Sequence, residues 1–178
     1  MILNKPFIFM RHGETVMNAN HRLCGSTDVE LSELGVQQAK GATVDLLAAP
    51  DYSVVIVSDM QRAQRTAELS LGHTNFIVEP RLRERDWGEL ELEPLEKQPP
   101  YEDTPPKGES WEAFVSRVCE GLNSALAQHD MPLIVAHSGV YRVIRFLAEG
   151  TPYGERIANA KPFLVQPGEN QWKISAIS

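Results

Sequence analysis

The stretch PFIFMRHGE, residues 6–14, sets the pattern for the whole chain. Its apolar run, residues 6–10, is typical of a strand buried on both faces of a sheet. The run ends abruptly at Arg11 and His12, which are followed by a glycine. Ligands of open α/β sheets bind at the carboxyl ends of strands, so these two polar residues are candidates for a functional site.

The same alternation of short apolar runs and helical patterns continues along the chain. Further strands are predicted at residues 54–57, 76–78, 133–136, 163–166 and 172–177. Helices are predicted at residues 31–49, 60–71, 110–128 and 140–149, with Ser32 as the cap of the first and Ser58 and Asp59 as caps of the second. Strands that alternate with helices favour a mostly parallel sheet covered on both faces. We therefore predict an α/β fold, a three-layer α/β/α sandwich formed by one domain over residues 1–178.

Residues 89–108 interrupt this alternation. Five prolines fall in the segment, mixed with acidic residues. No regular element is expected at that density of proline. We predict an excursion or a lid near the mouth of the site, rather than a boundary between two domains.

Composition excludes several classes of protein. Hydrophobic residues make up 42% of the 178 residues and charged residues 23%, close to globular averages, which excludes a disordered chain and a coiled coil. The two cysteines, Cys24 and Cys119, form no CxxC motif, which argues against a disulfide scaffold or a zinc module. No apolar run is long enough to span a membrane, and residues 1–10 lack the features of a signal peptide. A cytoplasmic location is therefore expected.

The net charge of −7 constrains the partners. A strongly acidic chain binds nucleic acid and anionic membrane surfaces poorly, so neither is an expected partner. If such a chain binds an anion, it has to concentrate its positive charges in one pocket. No oligomeric state follows from the sequence.

Basic and imidazole side chains follow three of the predicted strands. Arg11 and His12 follow the first strand, Arg62 lies just after the second, and His137 follows the fourth. Two histidines at one edge of a sheet suit either a metal ion or imidazole chemistry on an anion. The nearby arginines oppose a bound cation and favour a phosphate, and the N-termini of the following helices add N–H donors for it.

An imidazole in such a site can attack phosphorus. Neutral imidazole is a good nucleophile at neutral pH, and attack on a phosphomonoester would leave a phosphohistidine. The departing alkoxide would then need a proton from a carboxylic acid. Residues 82–89, LRERDWGE, supply several candidates for that acid.

Five segments, in order along the chain, carry a recognisable signature. They are RHGET (11–15) with Asn18, RLCG (22–25) with Asp28, SDMQRA (58–63), LRE (82–84) with Trp87, Gly88 and Glu91, and IVAHSGV (134–140) with Arg142. Together they resemble the histidine phosphatase superfamily, the phosphoglycerate mutase-like proteins, over nearly the whole chain. The second histidine precedes Ser138 and Gly139 rather than an aspartate. The chain therefore resembles the mutase-like branch rather than the acid phosphatase and phytase branch.

The resemblance implies a role for each matching residue. His12 would be the nucleophile that becomes phosphorylated, and Glu84 would be the general acid and then the base that activates water. The other catalytic residues, which would hold the phosphoryl oxygens, are Arg11, Arg62 and His137. The substrate-binding residues would be Asn18, Cys24, Gly25, Ser26, Ser138 and Gly139. The family needs no metal, so no metal ligand and no cofactor is expected.

The sequence departs from the family pattern at several positions. Leu92 stands where relatives usually have a glycine, so the start of residues 89–108 is expected to differ. Cys24 replaces a common glutamine, Met17 a common aromatic residue, and Ser138 a common glycine. None of these changes removes a catalytic group.

The function expected from these features is a metal-independent phosphatase that hydrolyses a phosphomonoester through a phosphohistidine on His12. Its substrate would be a phosphorylated small molecule, with a phosphoprotein as the alternative. Two other functions remain open: a cofactor-dependent phosphoglycerate mutase, and a non-catalytic phosphate-binding protein. The true mutases that the chain resembles are longer, which favours the phosphatase. A metal hydrolase is a minor alternative.

Overall fold

The structure, a computed structural model that describes residues 1–178, is built around a six-stranded sheet. The strands are β1 (Phe7–Arg11), β2 (Val55–Val57), β3 (Ile77–Val78), β4 (Leu133–Ala136), β5 (Pro162–Pro167) and β6 (Trp172–Ala176). The helices are α1 (Val16–Ala19), α2 (Glu33–Ala48), α3 (Gln61–Leu71), α4 (Trp111–Gln128) and α5 (Ser138–Glu149). Three short 3-10 turns are Pro80–Leu82, Gly88–Leu90 and Leu95–Lys97.

The strands lie in the order β3-β2-β4-β1-β5-β6. The four strands from β3 to β1 are parallel, whereas β5 and β6 add antiparallel pairs at one side. Parallel neighbours in a sheet need crossover connections, which here contain the helices. The α/β fold with a mostly parallel sheet is confirmed.

Alternate residues of the central strand β1 face two separate layers of helices. Phe7 and Phe9 pack with side chains of α4 and α5, and Ile8 and Met10 pack with those of α2 and α3. All four are fully buried, and burying a side chain of this size stabilises a fold by about 1.5–3 kcal/mol. The sheet thus lies between two helical layers, which confirms the predicted three-layer sandwich and explains why its inner strands are continuously apolar.

The predicted helix caps have different outcomes. Ser32 caps α2 as predicted, because its hydroxyl oxygen accepts the N–H of Gly35 at 3.1 Å. The prediction that Ser58 and Asp59 cap the next helix is wrong, since the N-cap residue of α3 is Met60 and its side chain makes no capping bond. The free N–H of Gln61 instead donates to the Asp28 carboxylate at 2.9 Å, from a distant loop.

The segment 89–108 is more regular than its prolines predicted. The expectation that it holds no regular element is wrong, because two of the 3-10 turns lie wholly or partly within it. Short turns of this kind tolerate a proline at their start, as Pro94 shows before Leu95–Lys97. Backbone bonds between residues 92–95 and residues 21–23 tie the segment to the body of the protein.

No helix in the structure combines the length and the apolar character required to cross a bilayer.

Leu92 adopts a left-handed backbone conformation, with φ of 66°, at the position where the sequence departs from the family's glycine. We expect Leu92→Gly to stabilise the protein. The left-handed region costs a non-glycine residue about 1–2 kcal/mol and the flexibility of glycine costs about 0.5–1 kcal/mol, so the net gain is up to about 1.5 kcal/mol. Little burial is lost, since Leu92 is exposed. The measurement is the urea unfolding free energy, with Leu90→Gly as the control, which is expected to destabilise. An equal loss in both variants would contradict the strain at Leu92.

Candidate active site

The register between β1 and β4 brings the two histidines together. Arg11 pairs with Ala136 across these strands, and the His12 N–H donates to the Ala136 carbonyl at 3.0 Å. The imidazole rings of His12 and His137 consequently lie edge to face, with centroids 5.1 Å apart. Both are buried, His137 completely.

A backbone neighbour determines which ring nitrogen of His12 keeps its lone pair. Nδ1 lies 2.7 Å from the carbonyl oxygen of Gly13. A carbonyl only accepts, so Nδ1 carries the ring proton and Nε2 keeps its lone pair. Burial lowers the pKa of His12 well below its usual 6.5, and the charges of Arg62 and Arg11 lower it further. The ring is therefore neutral at physiological pH, as a nucleophile has to be.

Ser58 fixes the tautomer of His137. The Ser58 hydroxyl accepts the N–H of Met60 at 3.3 Å and lies 2.8 Å from Nε2 of His137. The hydrogen of the Ser58 hydroxyl has Nε2 of His137 as the acceptor within reach. Nε2 therefore carries no proton, and the imidazole proton lies on Nδ1. Burial lowers the pKa of His137 well below 6.5, with further lowering by Arg62 and His12, which keeps the ring neutral. Nδ1 is buried without a protein partner and is thus a donor that can serve a phosphoryl oxygen.

Arg62 is held from behind by backbone carbonyls. Its Nη1 donates to Thr27 O at 2.8 Å and its Nη2 to Gly25 O at 2.6 Å. The side chain is 1% exposed, one of the most buried charges in the protein. Carbonyl oxygens satisfy part of the guanidinium without cancelling its charge, so the positive charge remains available to an anion.

Arg11 has a similar arrangement. Its Nη1 donates to Ile157 O at 3.0 Å, whereas its Nε is buried without a protein partner. Burial lowers the pKa of Arg11 to about 10; Glu84 raises it, and Arg156, Arg62 and Arg142 lower it. The group is still charged at neutral pH. The repulsion from the neighbouring cations, a smaller contribution than burial, is what a bound phosphate would relieve.

Glu84 lies in a pocket made by two backbone N–H groups. Arg85 N donates to Oε1 and Gly139 N to Oε2, both at 2.9 Å. Burial raises the pKa of Glu84, and the two backbone hydrogen bonds and the charges of Arg62 and Arg11 only partly oppose this. A β-carbon at Gly139 would lie 2.8 Å from the carboxyl carbon, so the site requires glycine there. A buried carboxyl with a raised pKa suits a general acid.

A cleft joins these groups. His12, Arg11, Arg62 and Glu84 line it, and His137 is buried behind the wall. Six of the eleven arginines in the chain line the cleft, no lysine does, and Glu84 is its only carboxylate. The acidic protein therefore collects its positive charge in one pocket, as an anion site requires.

Four of the six predicted substrate-binding residues line the cleft, and two do not. Asn18, Cys24, Ser138 and Gly139 line the cleft. The Oδ1 of Asn18 accepts the Thr15 N–H at 3.1 Å in the cap of α1, which leaves its amide nitrogen for a ligand. The N–H of Gly139 already donates to Glu84.

Gly25 and Ser26 do not line the cleft. Gly25 acts through its carbonyl on Arg62, and the Ser26 hydroxyl donates to Asp86 at 3.1 Å, away from the cleft. Burial raises the pKa of the Cys24 thiol to about 11, so it is protonated at neutral pH.

Several lining residues were not predicted as site residues. Four are the arginines outside the catalytic set, namely Arg22, Arg85, Arg142 and Arg156, and four are aromatic, namely Trp87, Tyr101, Trp111 and Phe114. Arg85 follows Glu84 directly, so its position next to the predicted acid was an available signal. Arg156 lies in a loop without any local pattern, and only the tertiary fold brings it to the cleft. No group of three or more His, Cys, Asp or Glu side chains is arranged to hold a metal ion.

The sequence was compared with known proteins. The family model described as "Histidine phosphatase superfamily (branch 1)" matches residues 7–178. The chain belongs to this family. The resemblance seen in the five sequence segments is thereby confirmed, and the family accounts for the two buried histidines at one sheet edge.

The relatives of the chain include proteins named as phosphatases and proteins named as mutases. It is 33% identical to a "Probable phosphoglycerate mutase GpmB" of Proteus mirabilis, over 83% of this chain and 76% of that one. It is 30% identical to a "Metal-independent phosphoserine phosphatase" of Arabidopsis thaliana, over 96% of this chain and 80% of that one. Among solved structures, that of open reading frame Rv3214 of Mycobacterium tuberculosis superposes with a TM-score of 0.82 at 25% identity, covering 98% of this chain and 97% of that one.

We expect Ser58→Ala to release the tautomer of His137. Without the hydroxyl donor, Nε2 is no longer held as an acceptor, and the proton distributes over both ring nitrogens. The ¹⁵N shifts of His137, assigned with a His137→Asn variant, should change from an Nδ1-protonated to a mixed pattern. Loss of a group that orients a site residue typically costs about 10–100-fold in activity. Ser70→Ala, at a buried serine whose hydroxyl is bonded only within α3, is the control, and an unchanged spectrum in Ser58→Ala would contradict the assignment.

Proposed function

We propose that this protein is a phosphatase that hydrolyses a phosphomonoester without a metal ion, through a phosphohistidine on His12. The observation that carries the proposal is the 2.7 Å contact from His12 Nδ1 to the Gly13 carbonyl, because it leaves Nε2 free to attack. The same cleft holds Arg11 and Arg62 as cations and Glu84 as a carboxyl with a raised pKa.

In the first step, Nε2 of His12 forms a bond to phosphorus while the bond to the leaving oxygen breaks. Arg11, Arg62 and Nδ1–H of His137 stabilise the charge on the phosphoryl oxygens, which they hold more tightly as the transition state forms. Protonated Glu84 gives its proton to the leaving oxygen, so that an alcohol and not an alkoxide departs. The raised pKa of Glu84 keeps this proton available.

In the second step, water attacks the phosphohistidine and inorganic phosphate leaves. Glu84, now a carboxylate, accepts a proton from the water as the new oxygen–phosphorus bond forms. The bond from Nε2 to phosphorus breaks, and the lone pair returns to a neutral imidazole. The environment of His12 favours that neutral form, since its pKa is lowered by burial and by Arg62 and Arg11.

The cleft also supports a class of substrate. Beyond the catalytic pair, Arg85 and Arg142 are buried in its wall, whereas Arg22 and Arg156 are exposed at its mouth. We propose a phosphorylated small molecule that carries a second acidic group, since four additional arginines exceed what one phosphate can neutralise.

A phosphoglycerate mutase would use the same first step and then return the phosphoryl group to a sugar acid. One relative is named as a mutase and another as a phosphatase. The relatives therefore do not distinguish the two activities, which have to be separated by experiment. The exposed arginines at the mouth favour the phosphatase, because an open cleft admits the water that hydrolysis needs.

We expect the protein to hydrolyse an aryl phosphate in EDTA, and His12→Ala to lower kcat/KM by on the order of 10³-fold or more. The wild type, quenched in alkali after mixing with labelled substrate, should carry an acid-labile phosphoryl group that His12→Ala lacks. His73→Ala, at an exposed histidine, is the control. Full activity in His12→Ala would refute the phosphohistidine mechanism.

Each alternative has its own outcome in the same assays. Phosphoryl transfer to 3-phosphoglycerate, without appreciable hydrolysis, would identify a mutase. Phosphate binding without turnover of any phosphoester would identify a binding protein. Activity lost in EDTA and restored by a divalent ion would identify a metal hydrolase.

We expect kcat/KM for an alkyl phosphate to decrease as pH rises through the raised pKa of Glu84, because only the protonated carboxyl can serve the leaving group. On the acid side, activity should persist well below pH 6.5, since His12 loses its lone pair only at its lowered pKa. Glu84→Gln should abolish the alkaline decrease while leaving a low, flat rate. Ionisation of the substrate affects wild type and variant equally, so the ratio of their kcat/KM values removes its contribution to the pH profile. An alkaline decrease that persists in Glu84→Gln would exclude Glu84 as the acid.

A further inference from the structure

Glu91 lies outside the cleft, behind the loop that holds Arg62. Its Oε1 accepts Gly25 N at 3.1 Å, Thr27 N at 3.0 Å and the Thr27 hydroxyl at 2.7 Å. Its Oε2 accepts Ser26 N at 3.3 Å and Trp87 N at 2.8 Å. Five donors converge on one carboxylate, which an ionised glutamate can serve because it only accepts.

Residues 25–27 form the loop that connects Glu91 to Arg62 by hydrogen bonds. In the peptide unit that joins Gly25 and Ser26, the N–H of Ser26 donates to Glu91 Oε2. The carbonyl oxygen of Gly25 accepts a hydrogen bond from Arg62 Nη2 at 2.6 Å. One peptide group thus has the carboxylate at its N–H end and the guanidinium at its C=O end. Charges of opposite sign at the two ends polarise the peptide and strengthen both hydrogen bonds.

We propose that Glu91 is a positioning residue for Arg62: through residues 25–27 it fixes the guanidinium in the orientation that binds the transferring phosphoryl group. The proposal rests on the proposed function, in which Arg62 holds phosphoryl oxygens. Glu91 touches no reacting atom and does not line the cleft.

Apart from its contacts with Glu91 and Arg62, the loop is held by hydrogen bonds from the Ser26 hydroxyl to Asp86 and from the Gln61 N–H to Asp28. Ser26 and Thr27 are partly exposed and Asp28 is exposed, so core packing does not hold their backbone. Both carbonyls that anchor Arg62, those of Gly25 and Thr27, come from this stretch. An orienting group displaced by about 1 Å can cost 10²-fold in rate, and Glu91 provides the rigidity that packing does not.

The first test is Glu91→Gln, which keeps the shape of the side chain but turns an NH₂ group toward N–H donors. We expect kcat/KM for an aryl phosphate, and affinity for inorganic phosphate measured by calorimetry, each to decrease by about 10–100-fold. The thermal unfolding midpoint shows that the variant is folded. Glu93→Gln is the matched control, since that carboxylate is exposed and bonded only to Lys97.

The second test separates positioning from general loosening. If Glu91 acts through Arg62, Glu91→Gln added to Arg62→Ala should lower phosphate affinity and kcat/KM little further, because the group that it positions is gone. If Glu91 only supports the fold, the two losses should multiply. Thr27→Val removes one of the five hydrogen bonds at constant shape and should produce a smaller loss of the same kind, which keeps the test available if Glu91→Gln does not fold.

Each outcome decides between the proposals. Wild-type values in Glu91→Gln, or multiplying losses in the double variant, overturn the role of Glu91. A wild type that binds phosphate without hydrolysing a phosphoester overturns the proposed function, and the calorimetric arm still tests Glu91. A wild type that neither binds phosphate nor hydrolyses a phosphoester overturns both.

Discussion

The hydrogen-bonded register between β1 and β4 is the constraint on which the site depends. The two strands end side by side, and the His12 N–H completes the ladder by donating to the Ala136 carbonyl. The residue that follows each strand is a histidine, so the two rings lie next to each other, with centroids 5.1 Å apart. A shift of one residue in this register would turn His12 toward the opposite face of the sheet. Because the core residues of β1 alternate between two helical layers, the same shift would also exchange buried side chains, so the core protects the geometry of the site.

Backbone atoms stabilise the charged groups that are buried close together in the site. Two arginines and two histidines are buried close to one another, in an arrangement that would be costly if each charge lacked a partner. The protein keeps both imidazoles neutral and gives each guanidinium carbonyl oxygens, from Ile157 for Arg11 and from Gly25 and Thr27 for Arg62. Peptide dipoles stabilise a cation without neutralising it, whereas a carboxylate partner would compete with the phosphate. Glu84, the only carboxylate in the cleft, is itself held by two N–H groups, and burial raises its pKa.

Much of the fold could be predicted from the sequence, because its signals are local. Residues 54–57 and 133–136 are continuous apolar runs, and Ser32 precedes its helix in the usual capping position. The strand-end residues Arg11, His12 and His137 were predicted as site residues for the same reason, and the fold brings them together. What could not be predicted depends on contacts that are distant in sequence. The cap of α3 comes from Asp28, the tautomer of His137 from Ser58, and the wall of the cleft from Arg156. The sequence does not indicate which groups these residues meet, since only the paths of the loops determine where they lie.

The position of β1 has a consequence for synthesis of the chain. β1 is made before either of its sheet neighbours, β4 and β5, in which residues 133 and 163 pair with residues 8 and 9. On the ribosome, this very apolar strand therefore stays unpaired until β4 has been translated. Contacts of such long range slow folding and leave strand edges exposed to aggregation in the interval. A nascent chain that stalls before residue 137 lacks the second histidine and the strand that orders the first, so the cleft cannot form before that point of translation.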